Sequence, residues 1–120
     1  MNSDSDCLFC KIVAGELPSD KVYHDDQVIV FKDINPKASV HLLIVPREHI
    51  ISLNELEEKH DGLVTHIMHL LPKIAKEQGL TSGFRAIINT GPGGGQIVFH
   101  LHVHLLGGED LSGVGFSRAI

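Results

Sequence analysis

The chain has 120 residues, of which 42% are hydrophobic and 21% are charged, and these proportions predict one soluble globular domain over residues 1–120. Its net charge of −5 with neutral histidines excludes bulk attraction to nucleic acid or to an anionic membrane, and no apolar run has the length of a membrane helix. The polar start MNSDSD does not resemble a secretory signal, so we expect a cytoplasmic location.

The first half of the chain predicts a helical turn followed by three strands. CLFCKIVAGELPSD is typical of a short helical turn that ends near Gly15. KVYHDDQVIVFKDI predicts two strands around the turn HDDQ, and ASVHLLIVPREH predicts a third strand that stops at Pro46.

The second half predicts one helical block and then two more strands. Ser52 and Glu55 have the spacing of a capping box, which predicts the start of a short helix. Apolar residues recur at helical spacing over 61–78, where Pro72 is expected to kink or divide the helix and Gly79 is suited to its C-terminal cap.

The last two predicted strands are FRAIINT and IVFHLHVHLLGG. Strands in a run, one helical block and then further strands predict an α+β domain. We expect a mostly antiparallel five-stranded sheet with one long helix and one or two short helices.

The last predicted strand carries three of the nine histidines at two-residue spacing. Because successive side chains of a strand point to opposite faces, His100, His102 and His104 are expected to share one face. The residues expected on the opposite, core-facing side are Phe99, Leu101, Val103 and Leu105. A merely solvated face would be served better by Thr, Lys or Glu, so metal binding and phosphate chemistry remain as the two interpretations.

The glycine-rich stretch GPGGGQ favours phosphate binding. Glycines let the backbone approach a ligand closely, and their N–H groups can form a nest for an anion. The stretch lacks the Lys-Ser/Thr pair of a Walker loop. The side-chain amides of Asn89 and Gln96 are expected to donate to phosphate oxygens.

The two cysteines form the short motif CLFC, with Cys7 and Cys10 three positions apart. In a cytosolic chain this spacing indicates a metal site or a redox pair rather than a structural disulfide. No strand precedes the motif in the manner of a thioredoxin, which argues against the redox pair. Tetrahedral zinc would need two further ligands.

The stretch NTGPGGGQIVFHLHVHLLGG resembles the signature of the histidine triad nucleotide-binding hydrolases, whose motif is His-φ-His-φ-His-φ-φ with φ apolar. The resemblance continues upstream from CLFCKIVAG to IVPREHI and covers nearly the whole chain. It is greatest to the purine nucleoside phosphoramidase-like branch. It implies hydrolysis at the α-phosphate of purine nucleotide conjugates, such as AMP conjugates, through a nucleotidyl-histidine intermediate.

The resemblance also implies roles for individual residues. His102 would be the nucleophile, His104 would bind and stabilise the phosphate, and His41 would be a further active-site histidine. Asp33 would bind the ribose hydroxyls. The residues implied to bind the nucleotide are Leu8, Phe9, Ile12, Phe31, Asp33, Ile34, Asn89, Gly95, Gln96, Ile97, Val98, His102 and His104. Ile97 departs from the family pattern, because many relatives have a small or polar residue there that can meet the leaving group.

A subset of the family combines the Cys-x-x-Cys motif with two histidines. The zinc ligands implied here are Cys7, Cys10, His49 and His100, and a closed four-ligand site would be structural. The family also implies a homodimer that pairs through the strand near residues 84–89 and through the long helix. The remaining histidines are expected to be solvated: His24, His60, His66 and His69.

Two rival functions stay open on the same fold. One is a zinc-stapled nucleotide-binding module with little catalysis, which Ile97 favours. The other is a dinucleoside polyphosphate hydrolase.

Overall fold

The structure is a computed structural model that describes residues 6–115. Over this range the chain forms a five-stranded sheet with a short and a long helix. The elements in chain order are α1 (Leu8–Val13), β1 (Lys21–His24), β2 (Val28–Lys32), β3 (Val40–Pro46), α2 (Asp61–Glu77), β4 (Arg85–Ile87) and β5 (Val103–Gly107). Single 3-10 turns lie at Leu53–Glu55, Glu58–His60 and Pro92–Gly94.

The sheet has the strand order β1-β2-β3-β5-β4, and every neighbouring pair is antiparallel. This confirms the predicted fold class. β5 lies between β3 and β4, so that Leu43 is opposite His104 on one side and Ile87 is opposite it on the other. The histidine-bearing strand is therefore an interior strand of the sheet.

Both faces of the sheet are covered. On one face Val30, Leu42 and Leu105 pack with the buried residues of α2, among them Ile74. On the other face Phe31, Leu43 and their neighbours pack with residues of α1, including Phe9. Strands that are buried on both faces have continuous apolar sequences rather than alternating ones, and this explains VIVF in β2 and LLIV in β3.

The long predicted helix is present as α2, and it runs unbroken through Pro72. The proline side chain is exposed, and buried residues on both sides of it, Leu71 and Ile74, fix the helix to the sheet. The prediction that Pro72 divides the helix is therefore wrong. Gly79 follows the helix with φ of 77° and donates its N–H to Lys76 O at 3.0 Å, as a C-terminal cap requires. Over residues 6–115 the structure contains no helix long and apolar enough to cross a membrane.

The predicted capping box is only partly present. Ser52 Oγ accepts from the N–H of Asn54 at 3.2 Å, but the element that it caps is a single 3-10 turn. The Glu55 carboxylate accepts from the N–H of Ile51, at 2.8 Å, one residue before the position that a capping box uses.

The last two strands are shorter than the sequence predicts. β5 begins only at Val103, and residues 97–102 lie outside the sheet. Within that segment the N–H of Leu101 donates to the carbonyl of Ile50 at 2.6 Å. Phe99 is 46% exposed, so its predicted place in the core is wrong. The physical reason is that this segment bonds to the end of β3 and the stretch after it instead of pairing with a neighbouring strand: besides the Leu101 contact, His100 Nε2 lies 2.8 Å from the carbonyl of Pro46.

Candidate functional site

A cavity of about 480 Å³ lies between α1, the end of β2 and residues 97–104, the histidine segment. It has an apolar half next to α1 and a polar half at the histidines. Most of the residues predicted to contact a nucleotide lie in its wall: Leu8, Phe9, Ile12, Phe31, Asp33, Ile34, His41, Ile97, Val98, His102 and His104. The fold thus brings together in one cavity residues from opposite ends of the chain.

His102 has a fixed tautomer. Its Nδ1 lies 2.6 Å from the carbonyl oxygen of His100, and because a carbonyl can only accept, Nδ1 carries the proton and donates it. Burial lowers the pKa of His102 below its ordinary value, which keeps the ring neutral near pH 7. The edge-to-face ring of Phe9, at a centroid distance of 5.0 Å, holds the imidazole in place. Nε2 therefore carries a lone pair, the form that a nucleophile needs.

His104 and His41 form a buried pair. His41 Nε2 lies 3.0 Å from His104 Nδ1 and 3.4 Å from the Oδ2 atom of Asp33. Burial, followed by the neighbouring rings of His102 and His41, lowers the pKa of His104 to about 4. Burial also lowers the pKa of His41, and the Asp33 carboxylate opposes that effect. At neutral pH this wall presents uncharged imidazoles and one carboxylate.

Three predicted ligand-binding residues lie outside the cavity wall: Asn89, Gly95 and Gln96. Gln96 is buried, and both hydrogens of its Nε2 group are donated to carbonyls, of Ile51 at 2.7 Å and of Val98 at 3.0 Å. Its Oε1 accepts from the N–H of Gly91 at 2.8 Å. In this structure Gln96 fixes the glycine loop and offers no donor to a phosphate, contrary to the prediction.

The predicted anion nest has fewer available backbone N–H donors than the sequence predicts. The N–H groups of Gly95 and Gln96 are donated to Pro92 O and Gly91 O. The N–H groups of Ile97 and Val98, which lie in the cavity wall, have no acceptor among residues 6–115. These two groups are the backbone donors suited to an anion in the cavity.

The wall also contains four polar residues that the sequence does not predict there: Ser19, Lys32, Asn35 and Lys37. Lys32, Asn35 and Lys37 flank Asp33 in the segment KDINPK, which begins at the last residue of β2. Lys32 is paired with Asp20 at 3.5 Å, and Lys37 supplies local positive charge in an acidic chain. The signal that could have revealed them is this cluster of charged and amide residues directly after a buried strand.

A second cluster joins the four predicted metal ligands: Cys7, Cys10, His49 and His100. Their ligand atoms all lie within 4.8 Å of one another. Sulfur–nitrogen distances are 3.3 Å for Cys7–His100, 3.2 Å for Cys10–His49 and 3.5 Å for Cys10–His100, and the two Nδ1 atoms are 3.2 Å apart.

These distances fit a tetrahedral metal. With Zn–S of about 2.3 Å and Zn–N of about 2.05 Å, tetrahedral geometry places S and N ligand atoms roughly 3.6 Å apart and two nitrogens roughly 3.3 Å apart. His100 Nε2 lies 2.8 Å from the carbonyl of Pro46 and donates to it, which leaves the lone pair of Nδ1 facing the cluster. Burial lowers the pKa of His100 to about 4, so the ring stays neutral, as a metal ligand must.

Two of the histidines expected to be solvated have structural contacts instead. His60 is only 5% exposed, and its Nδ1 accepts from the N–H of Glu57 while its Nε2 lies 3.1 Å from Glu48 Oε2. His66 lies 2.6 Å from the carboxylate of Asp25. The His60–Glu48 and His66–Asp25 contacts join residues 12 and 41 positions apart, so the local sequence around each histidine does not predict them.

Comparison with known proteins agrees with this geometry. The family model described as "Scavenger mRNA decapping enzyme C-term binding" matches residues 6–117. The chain is 42% identical over 111 residues to a maize (Zea mays) protein named 14 kDa zinc-binding protein, covering 91% of this chain and 87% of the relative. It is also 42% identical over 112 residues to the adenylylsulfatase HINT1 of Arabidopsis thaliana, covering 92% and 76%.

A solved structure of a HIT family hydrolase from Clostridium thermocellum superposes with a TM-score of 0.88 at 45% identity, covering 96% of this chain and 98% of that one. The chain therefore belongs to the histidine triad family, as its motif indicates, and the family supports a hydrolase.

Proposed function

We propose that the protein is a nucleotide hydrolase that cleaves purine nucleotide conjugates, such as phosphoramidates of AMP, at the α-phosphate. The observation that carries this proposal is the tautomer of His102. Its proton is on Nδ1, donated to the His100 carbonyl at 2.6 Å. The neutral Nε2 thus retains its lone pair in a residue of the cavity wall.

The proposed reaction has two displacements at phosphorus. His102 Nε2 forms a bond to the α-phosphorus while the bond to the leaving group breaks; the ring, which keeps its Nδ1–H, becomes an imidazolium, and the leaving group takes one proton from the solvent. Water then forms a bond to phosphorus while the P–Nε2 bond breaks, so that the nucleoside monophosphate and one proton are released and His102 is neutral again. A covalent intermediate divides one difficult step into two easier ones, and the N–H groups of Ile97 and Val98 are suited to the oxygens of the transferring phosphoryl group.

The shape and charge of the cavity support a nucleotide as substrate. Phe9, Ile12 and Phe31 give one end an apolar surface suited to a base, and Asp33 offers a carboxylate between that end and the histidines. Lys37, in the cavity wall, offers a positive charge for the phosphate, whereas Lys32 is paired with Asp20 at 3.5 Å. The adenylylsulfatase name of the Arabidopsis relative is consistent with an adenylyl group as the transferred part.

We propose zinc as a structural metal at Cys7, Cys10, His49 and His100. A closed set of two thiolates and two imidazoles is typical of structural zinc, and the name of the maize relative supports this metal. When bound, the ion would join α1 to the segment that follows β3, through His49, and to the histidine segment, through His100. Because α1 also supplies Phe9 to the cavity, the metal would hold the base-binding wall in place without taking part in the reaction.

We also propose a homodimer that pairs through β4 and α2. β4 is an edge strand of only three residues, and unpaired strand edges are association sites. Phe84 beside it and Met68 on α2 are 40% and 45% exposed. Sedimentation equilibrium at micromolar concentration is expected to give twice the chain mass, and Phe84→Glu is expected to weaken the association. A wild type that stays monomeric would contradict the proposal.

The central test is hydrolysis of adenosine 5′-phosphoramidate together with binding of AMP. His102→Ala should abolish turnover and leave AMP affinity within a few-fold of wild type. His24→Ala, which changes an exposed histidine of β1, serves as the matched control and should retain both. Wild type that binds AMP but does not hydrolyse the substrate would instead support the binding module, and faster hydrolysis of a diadenosine polyphosphate would support the dinucleoside polyphosphate hydrolase.

A further inference from the structure

The backbone N–H of Lys37 fixes the tautomer of His41. This N–H donates to His41 Nδ1 at 3.0 Å, and a backbone N–H can only donate, so Nδ1 holds a lone pair. His41 is 4% exposed, and burial lowers its pKa, which favours the neutral ring. A neutral ring with an unprotonated Nδ1 carries its single proton on Nε2.

The Nε2–H of His41 has one hydrogen-bond acceptor and a second acceptor within reach. It donates to His104 Nδ1 at 3.0 Å, and the Oδ2 atom of Asp33 lies 3.4 Å from the same nitrogen as an ion-pair contact without hydrogen-bond geometry. Oδ1 of the same carboxylate already accepts from the N–H of Asn35 at 2.8 Å. Whether His41 Nε2–H donates to His104 Nδ1 or to Asp33 Oδ2 therefore depends on which other groups donate a hydrogen bond to Oδ2.

The choice determines which nitrogen of His104 carries a proton. When His104 Nδ1 accepts from His41, neutral His104 must carry its proton on Nε2. His104 Nε2 is buried and has no hydrogen-bond partner within the described part of the chain, and His104 lies in the cavity wall. An unpartnered buried donor at a site wall needs an acceptor from elsewhere, because leaving it unpaired costs free energy.

The same three residues could be taken for a metal site, since their ligand atoms lie within 4.8 Å of one another. The Lys37 contact argues for a hydrogen-bond chain instead. It occupies the lone pair of His41 Nδ1 and places a proton on Nε2, where a metal ligand would need a lone pair.

We propose that Asp33, His41 and His104 form a relay through which the ribose hydroxyls of the substrate control the chemical step. This inference rests on the proposed function. Ribose hydroxyls that donate to Asp33 Oδ2 satisfy that oxygen and leave the His41 proton to His104. His104 then presents Nε2–H to the phosphoryl oxygens or to the leaving group. His41 is thus a positioning residue, and the hydroxyls affect the rate as well as binding.

The kinetic test compares adenosine 5′-phosphoramidate with its 2′,3′-dideoxy analogue at saturating concentration in single-turnover experiments. In wild type we expect the dideoxy substrate to react roughly tenfold or more slowly, as for a weakened transition-state donor. In His41→Phe the ratio of the two rates should fall to near one, while the ratio of the Kd values of AMP and dideoxy-AMP stays at the wild-type value. His41→Gln keeps an amide donor in place of Nε2–H and should restore much of the wild-type rate ratio.

His60 offers a matched control. It is buried like His41, its Nδ1 accepts from a backbone N–H at 3.0 Å, and its Nε2 contacts a carboxylate, but it lies outside the cavity. His60→Gln and His60→Phe should leave the rate ratio unchanged. An unchanged rate ratio in His41→Phe, or a wild type in which the hydroxyls alter only Kd, would overturn the relay.

A second arm does not depend on turnover. Nitrogen-15 NMR of the His104 ring should show the proton on Nε2 in the AMP complex and a mixture of tautomers in the dideoxy-AMP complex. The same tautomer in both complexes would overturn the relay. If wild type binds AMP but hydrolyses nothing, the proposed hydrolase activity fails and this NMR comparison alone decides the relay.

Discussion

The variant Cys7→Ser tests whether metal binding stabilises the fold, because it removes one metal ligand and leaves the N-cap of α1 in place. Cys7 Sγ is 3.3 Å from His100 Nδ1, and it also accepts from the N–H of Cys10 at 3.3 Å as the N-cap of α1. A serine hydroxyl caps a helix at least as well, so the substitution removes a metal ligand and retains the cap. Any loss of stability then reports on the metal.

The size of the effect follows from binding linkage. A ligand that binds only the folded chain at about 100 to 1,000 times its Kd stabilises that chain by about 3 to 4 kcal/mol. Since the entropy of unfolding is about 2.1 cal/mol/K per residue, or roughly 250 cal/mol/K for a chain of this length, Tm should fall by roughly 12–16 °C.

The assay is a thermal melt with metal analysis of wild type purified with zinc, of the same protein after chelation, and of Cys7→Ser. Chelated wild type and the variant should melt together, well below the metal-loaded protein. Because His102 is intact, kcat should change little in Cys7→Ser. KM should rise, because α1 carries Phe9 of the cavity wall and is no longer held by the metal. Zinc-purified wild type without metal, or a Tm that chelation leaves unchanged, would refute the four-ligand site.

Three further predictions concern the loop and the buried histidines. Gln96→Leu leaves Gly91 N–H and the carbonyls of Ile51 and Val98 unpaired, so urea denaturation should show that the free energy of unfolding falls by about 2–3 kcal/mol. The control Gln27→Leu, at an exposed position, should change it little, and equal losses in the two variants would contradict this role of Gln96. Gly95→Ala places a side chain at φ of 88°, while nothing lies within 4 Å of the added Cβ, so backbone strain alone should cost about 1 kcal/mol or more; an unchanged denaturation midpoint would count against it. Burial lowers the pKa of His104 from 6.5 to about 4, so the unfolded chain binds the proton more tightly than the folded chain does. The neutral His104 therefore contributes to stability above about pH 6.5, and about 2 kcal/mol of this contribution should be lost by about pH 4.5. His104→Gln should show a smaller loss between pH 7 and pH 4.5, and an equal loss would show that this histidine does not contribute.

The sequence predicts the frame of the fold well, because local pattern and burial agree there. β2 and β3 each contain a continuous apolar run, VIVF and LLIV, and both of their faces are covered. α2 follows its helical repeat to the predicted cap at Gly79. Leu101, Val103 and Leu105 lie in the core as alternation predicts.

Prediction fails where long-range contacts override strand geometry. Residues 97–102 read as a strand, yet His100 is drawn to Pro46 O and to the cysteines instead of continuing β5. Gln96 looks like a phosphate ligand beside glycines, but its partners include Ile51, which is 45 positions away. Spacing along the chain cannot show such contacts.

The different surroundings of the three triad histidines could not be predicted from the sequence either. Their equal spacing gives no reason for different functions. The carbonyl of Pro46 directs His100 toward the cysteines, the carbonyl of His100 fixes the proton of His102, and His41 faces His104. Each ring is thus distinguished by what its other nitrogen contacts.

The most direct test of the proposed function is capture of the covalent intermediate. Wild type mixed with adenosine 5′-phosphoramidate is quenched within one turnover into alkaline denaturant, which preserves a phosphorus–nitrogen bond, and its mass is then measured before and after digestion. We predict an added mass of one AMP minus water, located on His102 and absent from His102→Ala. An adduct on another residue, or hydrolysis by His102→Ala at the wild-type rate, would contradict His102 as the nucleophile.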